Sequence, residues 1–376
     1  MDDKFESIRH YNDSEISEAM QRIADAPQLS ALISLPFPNS KVEDIKAVIR
    51  TIKTADEFQQ KICMPAFQSI LRHTVSRFKT EGFGQLNRHT PYLFVANHRD
   101  IALDAIFLQV ALLKKRIPTS AIGIGSNLIQ TQFVMDLWRS NKAISVIRGG
   151  AMSEALNNSK LLSEYIHYSI TQKEESVWIA QRNGRTKNGI DVTNPALIKM
   201  LTLNNQGALL SHIQELNIVP TVISYQIEPC DWMKVHELLQ SQKEGSYTKA
   251  PNEDFQSIIT GIMQKKGTVT LKVMNPLNKL LRNNPPSPDL NNNELCKYIA
   301  NLIDSEINRG YTLYDSNYIA YDLLHQTSKY ERYYTRVAKI RFIVDMNEKL
   351  AKIGHHNYEE MKAMFLSIYA NPVEPQ

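Results

Sequence analysis

The chain has 376 residues, of which 43% are hydrophobic and 22% are charged, so it is long enough for one large domain or two ordinary ones and is not a disordered chain. Lys and Arg total 43 against 39 for Asp and Glu, and the net charge of +4 is too small to indicate a nucleic-acid partner. The three cysteines, Cys63, Cys230 and Cys296, form no paired motif, which excludes a disulfide scaffold and argues against a zinc site. A reducing, cytoplasmic compartment fits this composition best.

The first part of the chain is predicted to be helical up to about residue 80, because apolar residues recur there at helical spacing. Ile45, Ile49 and Ile52 form one such series, and a second runs from Phe67 to Val75. The N-terminus itself is charged and has no apolar core, so it does not predict a signal peptide. Since no apolar run approaches the roughly 18 to 20 residues that span a bilayer, any membrane contact is expected to be peripheral.

Short apolar runs alternate with helical stretches between about residues 90 and 275. This alternation predicts an α/β domain with a largely parallel central sheet flanked by helices. The predicted strands are Tyr92–Ala96, Ser120–Ile124, Ala143–Ile147, Val177–Ala180, Ile218–Ser224 and Gly267–Val273. The predicted helices between them are 100–115, 127–139, 152–172, 194–216 and 231–242.

A stretch of prolines and asparagines at residues 283–293 cannot form a regular element and predicts a loop or linker. A helical part that is rich in tyrosine and charge follows it. We therefore expect an N-terminal helical region over residues 1–85, an α/β domain over 86–280, and a linker with a C-terminal helical region over 281–376.

The segment 91–104 holds the most informative residues, because a buried strand ends there in polar side chains and an apolar helix then begins. His98 is thereby placed at the carboxyl end of a strand, where α/β sheets hold their sites. Asp100 has the chemistry of a helix cap, and Asp104, one turn into the helix, is positioned to reach back to His98. A histidine oriented by a carboxylate is a general base. The competing interpretation is a surface histidine beside two helix-capping acids.

Two clusters of positive charge follow later predicted strands. Arg148 stands beside two glycines, and Arg182, Arg185 and Lys187 surround Gly184. Guanidinium groups suit bidentate recognition of phosphate, and glycines let backbone amides approach it. The alternative is that these are solvated turn residues. With the histidine predicted at the same edge of the sheet, the pattern favours a phosphate site.

Asn97-His98, followed by an aspartate about one helical turn later, resembles the first motif of the glycerolipid acyltransferases. These enzymes acylate glycerol 3-phosphate and lysophosphatidic acid, and the likeness is to the 1-acyl-sn-glycerol-3-phosphate acyltransferase type. Three further stretches are similar to the family's later motifs, in the family's order and spacing: 146–150, 177–187 and 218–222. The flanking segments 8–13 and 317–324 are similar to a long bacterial branch of this group.

Two positions depart from the family pattern. The family has four residues between its histidine and aspartate, which would place the acid at Leu103, whereas Asp104 stands one position later, a rotation of about 100° on a helix. Asp104 is the favoured partner of His98, because a turn absorbs one residue more easily than a core helix does, and Asp100 is the alternative. The second departure is Asn183, where the family has glutamate. An amide carries no charge, so weakened activity is expected.

The resemblance implies an acyltransferase that moves a fatty acyl group from a thioester of CoA or acyl carrier protein to the free hydroxyl of lysophosphatidic acid or a similar glycerol phosphate. His98 would be the general base, the basic residues with Asn183 and Gly184 would hold the phosphate, and Pro220 in the fourth motif would shape the acyl site. No metal or cofactor is implied beyond the thioester co-substrate.

The expected partners are the lysophospholipid, the acyl thioester (with acyl carrier protein if it is the donor) and an anionic membrane. That membrane would be contacted peripherally, on its cytoplasmic face, and no nucleic acid is expected. Two alternatives stay open. The acceptor is glycerol 3-phosphate or an amino-lipid, or the chain is a degenerate lipid-binding homologue because Asn183 replaces the glutamate.

Overall fold

The computed structural model describes residues 2–129, 131–147, 149–205, 207–245, 247–250, 252–354 and 357–375. The N-terminal part is helical up to residue 74. Its helices are α1 (Asp13–Asp25), α2 (Leu29–Ser34), α3 (Val42–Arg50), α4 (Ala55–Phe58) and α5 (Met64–Thr74). Apolar side chains between Tyr11 and Ile62 form one buried cluster, so helices α1 to α4 pack mainly on one another.

The central part alternates strands and helices, as βαβ connections require. Its elements are β1 (Val75–Glu81), β2 (Leu93–Ala96), α6 (Leu103–Lys114), β3 (Ala121–Gly125), α7 (Gln132–Ser140), β4 (Ala143–Val146), α8 (Met152–Thr171), β5 (Val177–Ala180), α9 (Pro195–Leu201), α10 (Leu209–Glu215), β6 (Ile218–Tyr225), α11 (Asp231–Glu244), α12 (Glu253–Met263) and β7 (Gly267–Val273).

The described strands form one seven-stranded sheet in the order β1-β7-β6-β2-β5-β3-β4. Strands β6, β2, β5, β3 and β4 are mutually parallel. Strand β7 runs antiparallel to β6 and carries β1 parallel to itself at the edge. The five parallel strands therefore bring their carboxyl ends, and the loops that follow them, to one edge of the sheet.

Helices cover both faces of the sheet, which is why β2 is buried along its whole length. Side chains alternate between the two faces of a strand. Leu93 and Val95 accordingly belong to the cluster that includes residues of α8, α9 and α10, whereas Phe94 and Ala96 belong to the cluster that includes α6. The edge formed by the carboxyl ends of the parallel strands is thus held between two apolar layers.

The C-terminal part consists of helices that pack against the sheet and against α11. They are α13 (Leu277–Asn283), α14 (Asn292–Gly310), α15 (Asp315–Leu324), α16 (Arg336–Leu350) and α17 (Tyr358–Ala370). Helix α14 joins the cluster on one face of the sheet through Ile299, Ile303 and Ile307. Helices α15 to α17 form another cluster with α11 around Phe365. None of the described helices combines the length and the hydropathy needed to cross a bilayer.

The predicted fold class is confirmed: the central sheet is largely parallel, helices flank it, and helical extensions lie at both ends. Each of the six predicted strands is present to within one residue at either end. The domain boundaries at residues 85 and 280 stay predictions.

Two predicted elements are wrong in detail. The helical prediction up to about residue 80 fails for Val75–Glu81, which forms β1 because it pairs with β7. The single helix predicted over 194–216 is two helices, α9 and α10. Between them, the side chain of Asn205 bonds both the backbone N–H and the carbonyl of Gly207, which stabilises a turn in place of the helix.

Candidate active site

The turn after β2 carries His98 into a cavity of about 440 Å³ that Trp178 and Gly184 also line. Asn97 fixes the start of this turn, because its side chain donates to the Ile223 carbonyl at 3.0 Å and accepts from the Ile223 N–H at 2.8 Å. The His98 side chain is 13% exposed, and its ring centroid lies 6.1 Å from that of Trp178, edge to face. A packed, nearly buried imidazole at a strand end has the placement of a catalytic group.

Asp104 is the carboxylate that contacts this imidazole. Its Oδ2 lies 3.0 Å from His98 Nδ1 and accepts from the backbone N–H groups of Arg99 (2.7 Å) and Asp100 (2.9 Å). Its Oδ1 accepts from the Tyr225 hydroxyl at 2.8 Å. Burial, followed by the nearby Asp104, raises the pKa of Tyr225 well above its usual value, so the hydroxyl stays a donor. Because an ionised carboxylate only accepts, the hydrogen of a neutral His98 is on Nδ1 and Nε2 has a free lone pair.

Asp100 has a different position. Its Oδ1 accepts from the N–H groups of Ala102 (2.9 Å) and Leu103 (2.8 Å) and so caps α6. Its Oδ2 has no hydrogen-bond partner among the described residues. Burial, with Asp104 as the second cause, raises the pKa of Asp100. Of the two acids, Asp104 is therefore the one that reaches His98.

Arg99 is a buried cation that the sequence did not point out. It is fully buried beside His98, and its guanidinium donates to Asp191 Oδ2 from Nε at 3.0 Å and lies 2.8 Å from it at Nη2. It also donates to the Gly189 carbonyl at 3.2 Å and lies 4.9 Å from the ring centroid of Tyr311. Arg99 therefore ties the loop after β5 and the end of α14 to the turn after β2 that carries His98. Asp191 is 92 residues away in the chain, so no local pattern reveals this pair.

Lys234 of α11 holds the same turn from the other side and was also missed. Its fully buried ammonium donates to the Arg99 carbonyl and to Glu228 Oε1, each at 2.7 Å. The Tyr369 hydroxyl accepts from the backbone N–H of Glu228 at 3.0 Å and donates to Asp231 at 2.6 Å. Polar contacts thus connect α17 to the backbone next to the predicted base.

The loop after β5 forms one rim of the cavity. Arg182 is half-buried, and Asn183 and Gly184 are exposed there. Gly184 has a φ of +70°, a conformation that favours glycine. The backbone N–H of Thr186 donates to the His98 carbonyl at 2.7 Å, so this rim and the catalytic turn are held together.

Arg185 lines the cavity from a buried position. Its Nη2 donates to Glu237 at 2.7 Å and to the Ser257 hydroxyl at 3.2 Å, while Nε and Nη1 have no partner among the described residues. Lys187 does not line the cavity, and its ammonium lies 2.6 Å from Glu237. Burial opposes ionisation of Glu237, but Arg185 and Lys187 outweigh it and lower its pKa to about 2. Two cations and one carboxylate leave one net positive charge beside the cavity.

Two other predicted site residues are not placed at the cavity. Arg148 lies outside the described residues, although Ile147 and Gly149 on either side of it line the cavity. Pro220 lies within β6, in register with Val95 of β2, and is not among the described residues that line the cavity. The roles of both in binding stay predictions.

Large apolar side chains form much of the remaining cavity wall, beside polar residues such as Asn158 and Asn194. Such a wall suits a ligand with one charged end and a hydrocarbon part. The floor is close-packed, since a Cβ added to Gly123 would lie 3.1 Å from the side chain of Ile179. The apolar lining residues are Ile101, Ile124, Leu128, Val146, Ile147, Leu162, Trp178, Ile179, Leu197 and Met200.

One group of metal-type ligands occurs among the described residues, formed by His167, His212 and Glu215. It lies away from the cavity lining, and its two rings are stacked at 4.6 Å with an interplanar angle of 8°. Parallel stacked rings cannot both direct a lone pair at one ion without rotating. His167 bonds Glu215 at 2.8 Å and His212 bonds the Leu201 carbonyl at 3.1 Å, so the group ties α8 to α10.

Residues 77–221 match the family model described as Acyltransferase. The match runs from β1 to β6 and includes the catalytic turn and the loop after β5. The resemblance to an acyltransferase family seen in the sequence motifs is therefore confirmed for this segment of the chain. The N-terminal helices and everything after residue 221 lie outside the match.

Among solved structures, the chain is similar to the 1-acyl-sn-glycerophosphate (LPA) acyltransferase PlsC from Thermotoga maritima. The identity is 14% and the TM-score 0.37, over 77% of this chain and 92% of that one. No curated protein matches the chain significantly.

Proposed function

We propose that the protein transfers a fatty acyl group from an acyl thioester to the free hydroxyl of lysophosphatidic acid or a similar glycerol phosphate monoester. One observation carries the proposal: His98 Nδ1 lies 3.0 Å from the buried Asp104, and the same histidine lines a cavity with a cationic rim and apolar walls. This dyad lies inside the segment that matches the acyltransferase family.

The chemistry follows from the free lone pair on His98 Nε2. It accepts the proton of the acceptor hydroxyl while that oxygen bonds to the thioester carbonyl carbon. Asp104 stabilises the imidazolium that forms. When the tetrahedral intermediate collapses, the C–S bond breaks and the imidazolium returns the proton to the departing thiolate. The acyl group moves directly from sulfur to oxygen, with no acyl-enzyme.

The phosphate is proposed to bind at the rim formed by the loop after β5. Arg182 is half-buried there, and the Nε and Nη1 groups of Arg185 lack partners among the described residues. Guanidinium N–H groups of this kind form charge-assisted bonds to phosphate oxygens. Gly184 lets backbone N–H groups approach the phosphate. Lys187 pairs with Glu237 and would influence the phosphate through that carboxylate, without contacting the phosphate itself. The acyl chain would lie along the apolar walls.

Asn183 is exposed at this rim, so it is free to meet a bound phosphate. As an amide it donates hydrogen bonds but supplies no charge to orient the arginines. We expect Asn183→Glu to change acyl transfer, and an increase would mark the natural residue as the cause of weakened activity.

The proposal is tested by following thiol release from a long-chain acyl-CoA, and from acyl carrier protein as the second donor. Each is assayed with and without lysophosphatidic acid. Release is expected to need the acceptor and to fall about 100-fold or more in His98→Ala. The matched control is His89→Ala, which removes an exposed histidine away from the cavity and is expected to have wild-type rates. Unchanged release in His98→Ala contradicts the general-base role.

If wild type is inactive with both donors, glycerol 3-phosphate and an amino-lipid acceptor are tested next, together with Asn183→Glu. Rescue by Asn183→Glu identifies a degenerate enzyme. Absence of acyl transfer with every donor and acceptor, in both wild type and Asn183→Glu, contradicts the enzymatic proposal. Direct binding of lysophosphatidic acid would then support a lipid-binding protein.

A further inference from the structure

Helix α12 covers the catalytic turn and is held there by its inner face. Ser257 accepts a hydrogen bond from Arg185 at 3.2 Å. Gly261 packs so closely on Asp100 that an added Cβ would lie 2.3 Å from the Asp100 carboxylate. Ile258 packs on an apolar cluster that includes residues of α6. The helix is therefore a fixed part of the site.

The outer face of α12 carries three exposed apolar side chains. Phe255, Ile259 and Met263 are 62%, 38% and 45% exposed. Their four-residue spacing places them in one stripe along the helix. Between them on this face stand Gln256 and Thr260, and no charged residue occurs from 255 to 263.

Beside this stripe lies a depression of about 370 Å³ with the composition of a lipid headgroup site. Trp232 and Lys352 line it together with Ile259 and Met263, and the Lys352 ammonium lies 5.9 Å from the Trp232 ring centroid. Lys265 is exposed directly after the helix. Neither Lys265 nor Lys352 pairs with a carboxylate in the part of the chain that the structure describes. Tryptophan with apolar neighbours and unpaired lysines is typical of the membrane interface.

Exposed apolar residues also stand beside a second part of the cavity lining. In the first turns of α8, Met152 is 91% and Leu156 57% exposed, next to Ala155 and Ser159, which line the cavity. The first turn of α12 reaches the cavity through Asp254. The cavity mouth is thus flanked on two sides by apolar side chains.

We propose that the outer face of α12 (Phe255, Ile259 and Met263) docks the protein on an anionic bilayer, with Lys265 and Lys352 on the lipid headgroups. The inference rests on the proposed function, because a lysophospholipid acceptor is held in a bilayer by its own acyl chain. A face that adjoins the cavity mouth lets this acceptor enter from the membrane. A second copy of the chain is a poorer occupant, since a symmetric contact through this face would bring Lys265 and Lys352 of one copy towards the same lysines of the other.

The test is co-sedimentation of the full chain with vesicles of phosphatidylcholine alone or mixed equally with phosphatidylglycerol. The variant is Phe255→Ser/Ile259→Ser/Met263→Ser. The matched control is Val337→Ser/Ile340→Ser/Val344→Ser, which removes a comparably exposed stripe from α16. Binding to mixed vesicles is expected to fall about 100-fold in the α12 variant, because each lost side chain lowers partitioning several-fold, and to change less than about threefold in the control. Lys265→Gln/Lys352→Gln is expected to lose about 10- to 30-fold on mixed vesicles only.

Wild-type binding by the α12 variant, or an equal loss in the α16 control, overturns the proposal. So does a change from dimer to monomer in the α12 variant with vesicle binding unchanged, since that assigns the face to self-association. Thermal unfolding confirms that the variants fold. Vesicle binding is measured without turnover. The docking proposal is therefore tested independently, even if no acyl transfer is found. Transfer to a short-chain, monomeric acceptor is expected to be equal in wild type and the α12 variant, which separates docking from catalysis.

Discussion

Replacing Asp104 by asparagine tests how the buried carboxylate supports His98. Asparagine has nearly the same shape, and its amide oxygen can accept the bonds that Oδ2 takes from His98 Nδ1 and from two backbone N–H groups. Its amide N–H then faces the Tyr225 hydroxyl, which can turn to accept. The fold is therefore expected to survive, and the main loss is the negative charge opposite the imidazolium.

The magnitude follows from that single contact. A hydrogen bond to a charged group contributes about 1.5–3 kcal/mol and is about twice as strong as a neutral one. Exchanging the carboxylate for an amide therefore costs about 0.8–1.5 kcal/mol, which at 1.36 kcal/mol per tenfold is about 4- to 12-fold in kcat. An amide turned the other way would hold His98 in the wrong tautomer and increase the loss further. The assay is acceptor-dependent thiol release at saturating substrates, with thermal unfolding recorded for each variant.

Asp100→Asn is the matched comparison. Asp100 is also buried, but it caps α6 and does not contact His98, and asparagine caps a helix as well as aspartate does. The kcat of the Asp100→Asn variant is expected to fall less than about threefold. The reasoning is refuted if Asp100→Asn loses as much activity as Asp104→Asn, or if Asp104→Asn stays within about threefold of wild type.

Two predictions concern stability. A Cβ at Gly261 would lie 2.3 Å from Asp100 Oδ2, so Gly261→Ala is expected to lose about 2–3 kcal/mol in urea unfolding instead of gaining the usual helix preference. Gly84→Ala, which meets nothing within 4 Å, is expected to be neutral, and equal values for the two would contradict the clash. Arg185 and a neighbouring lysine outweigh burial and lower the pKa of Glu237 from 4.5 to about 2. This carboxylate therefore stabilises the fold above pH 4.5, and the contribution is lost as pH falls towards 2. Glu237→Gln is expected to flatten the fall in unfolding free energy across that window, and a slope as steep as in wild type would argue against the pairing.

The strands at the centre of the sheet could be predicted because their own residues determine them. A strand buried on both faces is a short continuous apolar run, and Leu93–Ala96 and Val177–Ala180 are of this kind. Val75–Glu81 has no fully buried residue, and five of its seven residues are polar or charged. It becomes a strand only by pairing with β7, a partner far along the chain.

The residues of the candidate site also differ in whether short stretches of sequence or long-range contacts determine them. His98 and Asp104 are six positions apart, so one turn and the start of one helix bring them together, and their motif could be interpreted locally. The sequence favoured Asp104 over Asp100, but Asp100 stayed an alternative because the contact depends on where α6 begins. Arg99 and Lys234 had no local signal, since their partners come from the loop after β5, from α11 and from the C-terminal helices.

By itself, the amino-acid sequence determined the α/β class, the positions of the central strands along the chain and the histidine motif, because these depend on hydrophobic periodicity and short-range spacing. The tertiary structure alone decided which carboxylate contacts the imidazole, where Arg185 finds its counter-ion, and which side of α12 is left exposed. Those features depend on the burial of charges and on contacts between elements distant in the chain, and neither is encoded in any single stretch of residues.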